Sequence, residues 1–466
     1  MSAPLLWIGI PLAVALVTLF IPSERVNAAL GGMAALLMSA VALFLPIDTA
    51  LLVGPVSLKV ASSLQILGRS LVLNSADAAL LAILYGLASL WFFGSEAAGA
   101  ARRLVPLGMG ILALLVASIA VEPFLFAAIF IEIAALLSIP LLSPPAQLPG
   151  RGVTRFLVYQ TLAMPFILFA GWMLEGVESS PGDLALTLQA ATMLGMGFAF
   201  LLAVFPLYNW MPMLAEEAPP FVTGFMLWSL PTITIVFGLG FLDNYTWLRT
   251  SPALADALQL SGALMVTTAG VWAAFQRHLG RIMAYAAVAE TGFAILALSI
   301  QPSAHSLAVI FLSLIPRGLG LALWALGLTV LANRAGSLKF SAVKGMARSH
   351  PLAALGIVLA HLSTAGFPLL AGFPPRLGLW EGLAGNSLLL AVWLLVGTLG
   401  LLTGAVRSLA ALVMAPEYAP WELNETWTQR IMLGLGILGL FLLGVFPQVV
   451  GPLLENLPLM FSRLGQ

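Results

Sequence analysis

Five ionisable residues stand inside otherwise apolar stretches of this chain: Glu132, Glu290, Arg317, Arg376 and Glu381. A carboxylate or guanidinium near the centre of a bilayer costs about 2.5–3.5 kcal/mol on insertion scales, so such residues face a polar pathway or a partner. The carboxylates can load and release protons. The arginines cannot, because they keep theirs above about pH 12, and they are predicted to act as fixed positive charges. Glu381, about one turn beyond Arg376, is in position to pair with it, which would make that charge structural. Prolines crowd the same regions: Pro206, Pro212 and Pro219 in FPLYNWMPMLAEEAPP, and Pro368 and Pro374 in AGFPLLAGFPPRLGLWE. Proline frees backbone carbonyls that lipid cannot satisfy, so broken helices persist only where protein or a water cavity covers them. The combination predicts an ion path lined by interrupted helices.

Composition sets the class that must position these groups. Hydrophobic residues make up 61% of the 466, charged residues 8%, and the mean hydropathy is +1.05. That profile is an integral membrane protein, not a water-soluble globule. A formal net charge of zero gives no footprint for nucleic acid. With zero cysteines the chain holds no disulfide, thiolate zinc site or cysteine-ligated iron–sulfur cluster. The four histidines (His278, His305, His350, His361) lack metal-ligand spacing, and no glycine-rich strand–helix turn supports a nicotinamide or flavin; no cofactor and no metal are expected. His361, on an apolar helix, is expected to be a hydrogen-bonded structural residue. The apolar N-terminal stretch lacks a basic leader region and cleavage site, and is expected to be a retained first helix.

Apolar spans of bilayer length fall near 4–22, 27–47, 76–94, 104–121, 123–143, 155–174, 185–207, 222–242, 257–275, 282–300, 305–332, 351–385, 387–413 and 430–449. The expected fold is therefore all-α and polytopic, with about fourteen transmembrane helices, the seventh and twelfth interrupted. Residues 54–74 alternate loosely and predict an extramembrane hairpin, and LLENLPLMFSRLG a short interfacial helix. Tryptophans such as Trp421 and Trp427 suit an interfacial belt, and Glu216 and Glu217 a solvated loop.

One set of loops collects most of the basic residues, from Arg25, Arg102 and Arg103 through Arg277, Arg281, Lys339 and Lys344 to Arg430. The other holds Lys59, Arg69, Arg249 and Arg463. The positive-inside rule makes the first set cytoplasmic and puts both termini on the outer side of a cytoplasmic (inner) membrane. Phe205-Pro206-Leu207 with Pro212 recurs as Phe367-Pro368-Leu369 with Pro374, about 160 residues later, and a similar offset carries Glu132 close to Glu290. Five helices lie between the copies, so they cross with opposite polarity, as in inverted-repeat transporters. The expected organisation is an N-terminal three-helix segment (1–103), two inverted five-helix repeats (104–242 and 257–413) and a C-terminal helix with an interfacial tail (430–466).

These motifs resemble those of the antiporter-like membrane subunits of proton-pumping NADH:quinone oxidoreductase (respiratory complex I) and of Mrp-type cation/proton antiporters. FPLYNWMPMLAEEAP is similar to the family's FPxHxWLPxAxxxAP, with Tyr208 where histidine is usual. QRHLGR (276–281) followed by MAYAAVAETGF resembles QxDLKRLLAYSSIxxxGY, and GMARSHP with STAGFPLLAGFPPR resembles GLxxxxP…LAGIPPxxGFxxK. The resemblance implies fourteen helices, broken helices seven and twelve, partners among other membrane subunits, and protons (or sodium) as the transported species. It places Glu132 on the family's helix-five glutamate and Arg376 on its helix-twelve lysine or glutamate. The family's helix-seven lysine falls on Leu201 and its helix-eight lysine near Leu230–Thr232, where no ionisable side chain exists; all three lysines of this chain lie in loops.

The resemblance therefore implies a subunit conducting protons through a buried polar axis, with electron transfer done elsewhere in the complex. The missing lysines leave a second expectation open: a non-conducting scaffold subunit of the same kind of assembly.

Overall fold

The computed structural model describes residues 2–53, 56–66, 68–143, 149–180, 183–300, 304–385, 387–414, 420–461 and 463–464. In chain order the helices are α1 (Ile10–Leu19), α2 (Glu24–Phe44), α3 (Ala78–Ala97), α4 (Ala101–Ala120), α5 (Ala127–Leu142), α6 (Arg151–Ser179), α7 (Leu184–Leu201), α8 (Trp210–Glu217) and α9 (Pro220–Asn244). They continue with α10 (Thr246–Arg249), α11 (Pro252–Phe275), α12 (Leu279–Ser299), α13 (Ala304–Ala335), α14 (Pro351–Thr364), α15 (Phe373–Ala384), α16 (Leu388–Val413), α17 (Trp427–Val445) and α18 (Gly451–Leu454). Among the described residues twelve helices are long and apolar enough to cross a membrane, and Leu5–Leu19 and Pro351–Thr364 are shorter apolar helices. Eighteen residues make about 27 Å of helix, close to the hydrocarbon thickness. The chain is a predominantly helical, multi-pass membrane protein.

Helix starts follow local chemistry. The side chains of Ser23, Asp183, Ser251 and Ser387 accept from backbone N–H groups two or three residues on, and Thr426 and Gln429 form a reciprocal capping box at the start of α17. Each satisfies donors that lipid would leave bare. Helices α9 and α12 are almost wholly enclosed by protein, whereas α7 and α17 turn most of their surface outward. Around the enclosed pair the core is aromatic: Trp91 of α3 packs on Phe221, Phe225 and Trp228 of α9 at centroid distances of 4.9, 5.8 and 6.2 Å.

Both expected interruptions exist, and they end their helices in the same way. At the first, Leu202 N bonds Phe198 O, Ala203 N bonds Phe200 O and Val204 N bonds Ala199 O. At the second, Ala365 N bonds His361 O, Gly366 N bonds Ser363 O and Phe367 N bonds Leu362 O. The pattern is a Schellman cap with a left-handed residue, Ala203 at φ 52° or Gly366 at φ 78°. A single turn (Leu207–Asn209) and α8 follow the first break; α15 follows the second.

Three expectations change. The segment between α2 and α3 holds two antiparallel hairpins, β1–β2 (Ala50–Val53, Val56–Lys59) and β3–β4 (Ser63–Ile66, Arg69–Val72). The second of these is extended by β5 (Val121–Glu122). Gly54 and Pro55 lie outside the described residues. The C-terminal tail is two separate turns, α18 and Leu457–Met460, tied back by Arg463 N and Leu464 N to the Asp243 carboxylate at the end of α9. Residues 465–466 lie outside the described part. Trp421 and Trp427 are exposed as a belt requires, but Trp7, Trp91, Trp228 and Trp324 are fully buried core residues.

Candidate functional site

Glu290 and Arg376 meet inside the bundle. The Arg376 Nη2 donates to Glu290 Oε1, and both side chains are less than a tenth exposed. Arg376 reaches this position because α15 begins immediately after the break. From there its Nε and Nη2 also donate to the Thr364 carbonyl at 3.3 and 3.2 Å, capping the end of α14. The guanidinium lies 3.3 Å from the Phe293 ring centroid. A cation at a helix C-terminus is favoured by the helix dipole, and here it also fills an acceptor that the break leaves open. Gly366 must be glycine: its φ is 78°, and a Cβ there would lie 2.7 Å from Arg376 Cγ.

Arg317 stands one element away, on α13. Its Nη2 donates to Leu227 O of α9 at 3.1 Å and to Thr291 Oγ1 of α12 at 3.0 Å, beside Glu290. Glu290 and Arg376 are its electrostatic neighbours. The cluster thus holds two guanidiniums and one carboxylate. The expected pairing of Glu381 with Arg376 is not what forms: Glu381 is exposed near the end of α15, and Arg376 turns to α12 instead. Five residues on, Glu381 falls about 140° round α15 from Arg376, on its outward face, while Leu379 and Leu383 on the inner face are buried.

Glu132 lies in the other half, buried on α5. Its Oε1 accepts from Thr161 Oγ1 of α6 at 2.7 Å, while Oε2 is buried without a hydrogen-bond partner. Next to Thr161, Gln160 donates its Nε2 to Leu201 O at 3.4 Å. Counting from the left-handed residue of each cap, Leu201 O is the equivalent of Thr364 O. One break is therefore capped by a neutral amide, the other by a guanidinium. A small cavity lies at the first break, with Gln160, Leu201, Ala203, Trp210, Leu230 and Pro231 on its walls, and it has room for about one water.

Tyr208, which follows Pro206, links the first break to the second half: its hydroxyl donates to Thr268 Oγ1 of α11 at 2.9 Å, and its ring meets Tyr285 of α12 edge-on at 6.2 Å. Pro212 is buried within α8, Pro219 caps α9, Pro368 lies in the second break and Pro374 in the first turn of α15. The carboxylates expected in a solvated loop instead hold α8 in place. Glu216 pairs with Arg281 at 2.6 Å, and Glu217 accepts from Gly152 N at 2.7 Å.

His361 also departs from expectation. It is fully buried, neither ring nitrogen has a hydrogen-bond partner, and its ring stacks on Trp324 at 4.6 Å. Stacking substitutes for the polar contact that an apolar neighbourhood does not offer. His278 and His350 lie just outside the spans; the first N-caps α12 through Nδ1, and burial lowers the pKa of both. The side chain of His305 lies outside the described residues. Among the described residues there is no cluster of His, Asp or Glu that would hold a metal ion. Hydropathy and motif reading missed Thr161, Thr291, the Leu227 and Thr364 carbonyls and Gln160; Pro231 was the available signal for the Leu227 carbonyl, since a proline frees the carbonyl four residues earlier.

Buried charges beside two discontinuous helices in a multi-pass bundle define a class of polytopic membrane protein. Residues 155–403, more than half of the chain, match the family described as NADH:quinone oxidoreductase/Mrp antiporter, transmembrane, and the chain belongs to that family. NADH-quinone oxidoreductase subunit 14 of Thermus thermophilus is 28% identical over 341 residues, which cover 68% of this chain and 73% of that protein. The fold matches a chain of the membrane-bound sulfane sulfur reductase, an archaeal respiratory membrane complex. There the TM-score is 0.81 at 16% identity, covering 100% of this chain and 98% of the other. It also matches a chain of respiratory complex I from Thermus thermophilus with a TM-score of 0.78 at 19% identity, covering 99% and 100%.

Proposed function

We propose that this chain is an antiporter-like membrane subunit of a multisubunit assembly of the complex I or Mrp kind. It moves protons, with sodium as the other candidate ion, along a buried polar row, while other subunits carry any electron transfer. The observation that carries this reading is the buried Glu290–Arg376 pair seated on the broken end of α14. A well-packed apolar pair would hold these helices at less cost than two desolvated charges, so their presence points to use rather than packing. In this reading Glu290 and Glu132 load and release protons, Arg317 and Arg376 supply fixed charge, and Tyr208 with Thr268 bridges the halves. Pro206, Pro212, Pro219, Pro368 and Pro374 keep the breaks open, and Glu381 marks the exposed end of the row.

The chain is arranged, in the same proposal, as fourteen crossings in two inverted five-helix units (104–242 and 257–413), preceded by a three-helix segment (1–103) and followed by a helix and tail (430–466). The matching caps at Ala203 and Gly366 and the two shorter apolar helices support it. The skew of basic residues supports a cytoplasmic-membrane location with both termini outside.

A non-conducting scaffold is the second reading, favoured by the first break. Leu201, Leu230 and Pro231 line its small cavity, and no charged side chain is among the walls. Glu290→Gln and Glu132→Gln in the assembled complex, reconstituted in vesicles, separate the two. Loss of proton transport in Glu290→Gln with assembly intact supports conduction. Unchanged transport in both variants leaves only the scaffold.

A further inference from the structure

Pro231 lies inside α9, and its missing N–H deprives the carbonyl four residues earlier, Leu227 O, of its usual intrahelical donor. That carbonyl accepts from Arg317 Nη2 at 3.1 Å, and the same nitrogen bonds Thr291 Oγ1, on the residue after Glu290. Arg317 follows a proline of its own, Pro316, inside α13. The guanidinium is buried, and its Nε has no partner. Its place in the molecule is therefore set by one backbone acceptor that a proline in the first half makes available and one hydroxyl in the second half.

We infer that Arg317 is a positioning residue that couples the two halves: seated on the carbonyl freed by Pro231, it holds a fixed positive charge beside the Glu290–Arg376 pair. The first half, although its own break is neutral, thereby sets the electrostatic environment of the charged break in the second. Among the described residues two charged side chains face Glu290, Arg376 from α15 and Arg317 from α13. The acidic residues of α8 are engaged at that helix's far end, on Arg281 and α6, and His361 of α14 is stacked on Trp324. Any rotation or straightening of α9 at Pro231 would move the seat, and with it one of the two cations. The inference rests on the proposed role of Glu290 only for its consequence in transport; the clamp itself is a statement about geometry and charge.

The test uses the whole complex and reads the carboxylate infrared band that disappears in Glu290→Gln, alongside proton transport in vesicles. Pro231→Ala returns an N–H to α9 that competes for Leu227 O, and as a helix-favouring change it leaves folding intact. The expected result is a displaced band in Arg317→Gln and a smaller displacement in Pro231→Ala, because the field of a nearby cation acts on the carboxylate stretch. In the Arg317→Gln background, Pro231→Ala adds nothing. Pro140→Ala, an exposed proline of α5, leaves the band where it was. A Pro231→Ala band equal to that of the unmodified complex, or a displacement that adds in full to that of Arg317→Gln, overturns the clamp. A displaced band with no transport in any form of the complex retains the clamp and removes the conducting role instead.

Discussion

Glu290 and Arg376 are separated by 86 residues, yet the Arg376 guanidinium donates to the Glu290 carboxylate and to the last carbonyl of α14 from a single position. The pair is therefore a fastener as well as a charge site. It ties α12 to both sides of the second break, and removing either partner has a mechanical and an electrostatic consequence.

Arg376→Gln leaves a buried carboxylate without its cation and an uncapped helix end. A loss of roughly 3–5 kcal/mol is expected, the range for breaking one side of a buried pair. The double variant Arg376→Gln/Glu290→Gln is expected to be more stable than Arg376→Gln alone, since the carboxylate that lost its direct partner is gone while Arg317 keeps its acceptors, Leu227 O and Thr291 Oγ1. Thermal unfolding of the purified complex, followed variant by variant, checks the order; equal stability of the single and double variants contradicts it.

The two Schellman caps differ in residue type, and the difference predicts opposite outcomes. Ala203 adopts φ 52°, so Ala203→Gly is expected to stabilise by up to about 1 kcal/mol. Gly366→Ala places a Cβ against Arg376 in a left-handed conformation and is expected to cost more than that, with reduced transport as Arg376 shifts. Melting temperatures of the two variants settle the sign at each site.

His278 and His350 introduce a pH dependence outside the spans. Burial is the main cause that lowers each pKa below the ordinary 6.5. The unfolded chain then binds protons more readily than the folded one as pH falls below about 6.5, so their contribution is present above that value and is lost on acidification. Nδ1 of His278 accepts the Arg281 N–H, and protonation there would remove the cap. His278→Asn keeps a capping oxygen without titrating, and is expected to flatten the stability profile between pH 7 and 5, in a range set by about 6.5 as the unfolded value. An unchanged slope in that variant assigns the effect elsewhere.

Glu425, almost fully buried in the loop before α17, accepts from Leu352 N and Ala353 N at 2.8 and 3.2 Å. A carboxylate on the first turn satisfies orphan donors and complements the helix dipole. Glu425→Ala is expected to destabilise by about 1–3 kcal/mol and to raise hydrogen exchange in the first turn of α14, upstream of the break. Unaltered exchange there would make the contact incidental.

The membrane class, nearly every span and both interruptions were legible in the residues, because each is a local property. A run of apolar side chains selects the bilayer, and proline removes a donor wherever it stands. Tertiary packing decided the partners. Arg376 takes Glu290 rather than the nearby Glu381, Arg317 takes the carbonyl that Pro231 frees, and His361 stacks on Trp324. Helices such as α9 and α12, apolar on nearly every side, carry no continuous polar stripe to announce which way they face. Their rotation is set by how side chains interlock with neighbours, so which buried charge meets which acceptor is a property of the assembled bundle.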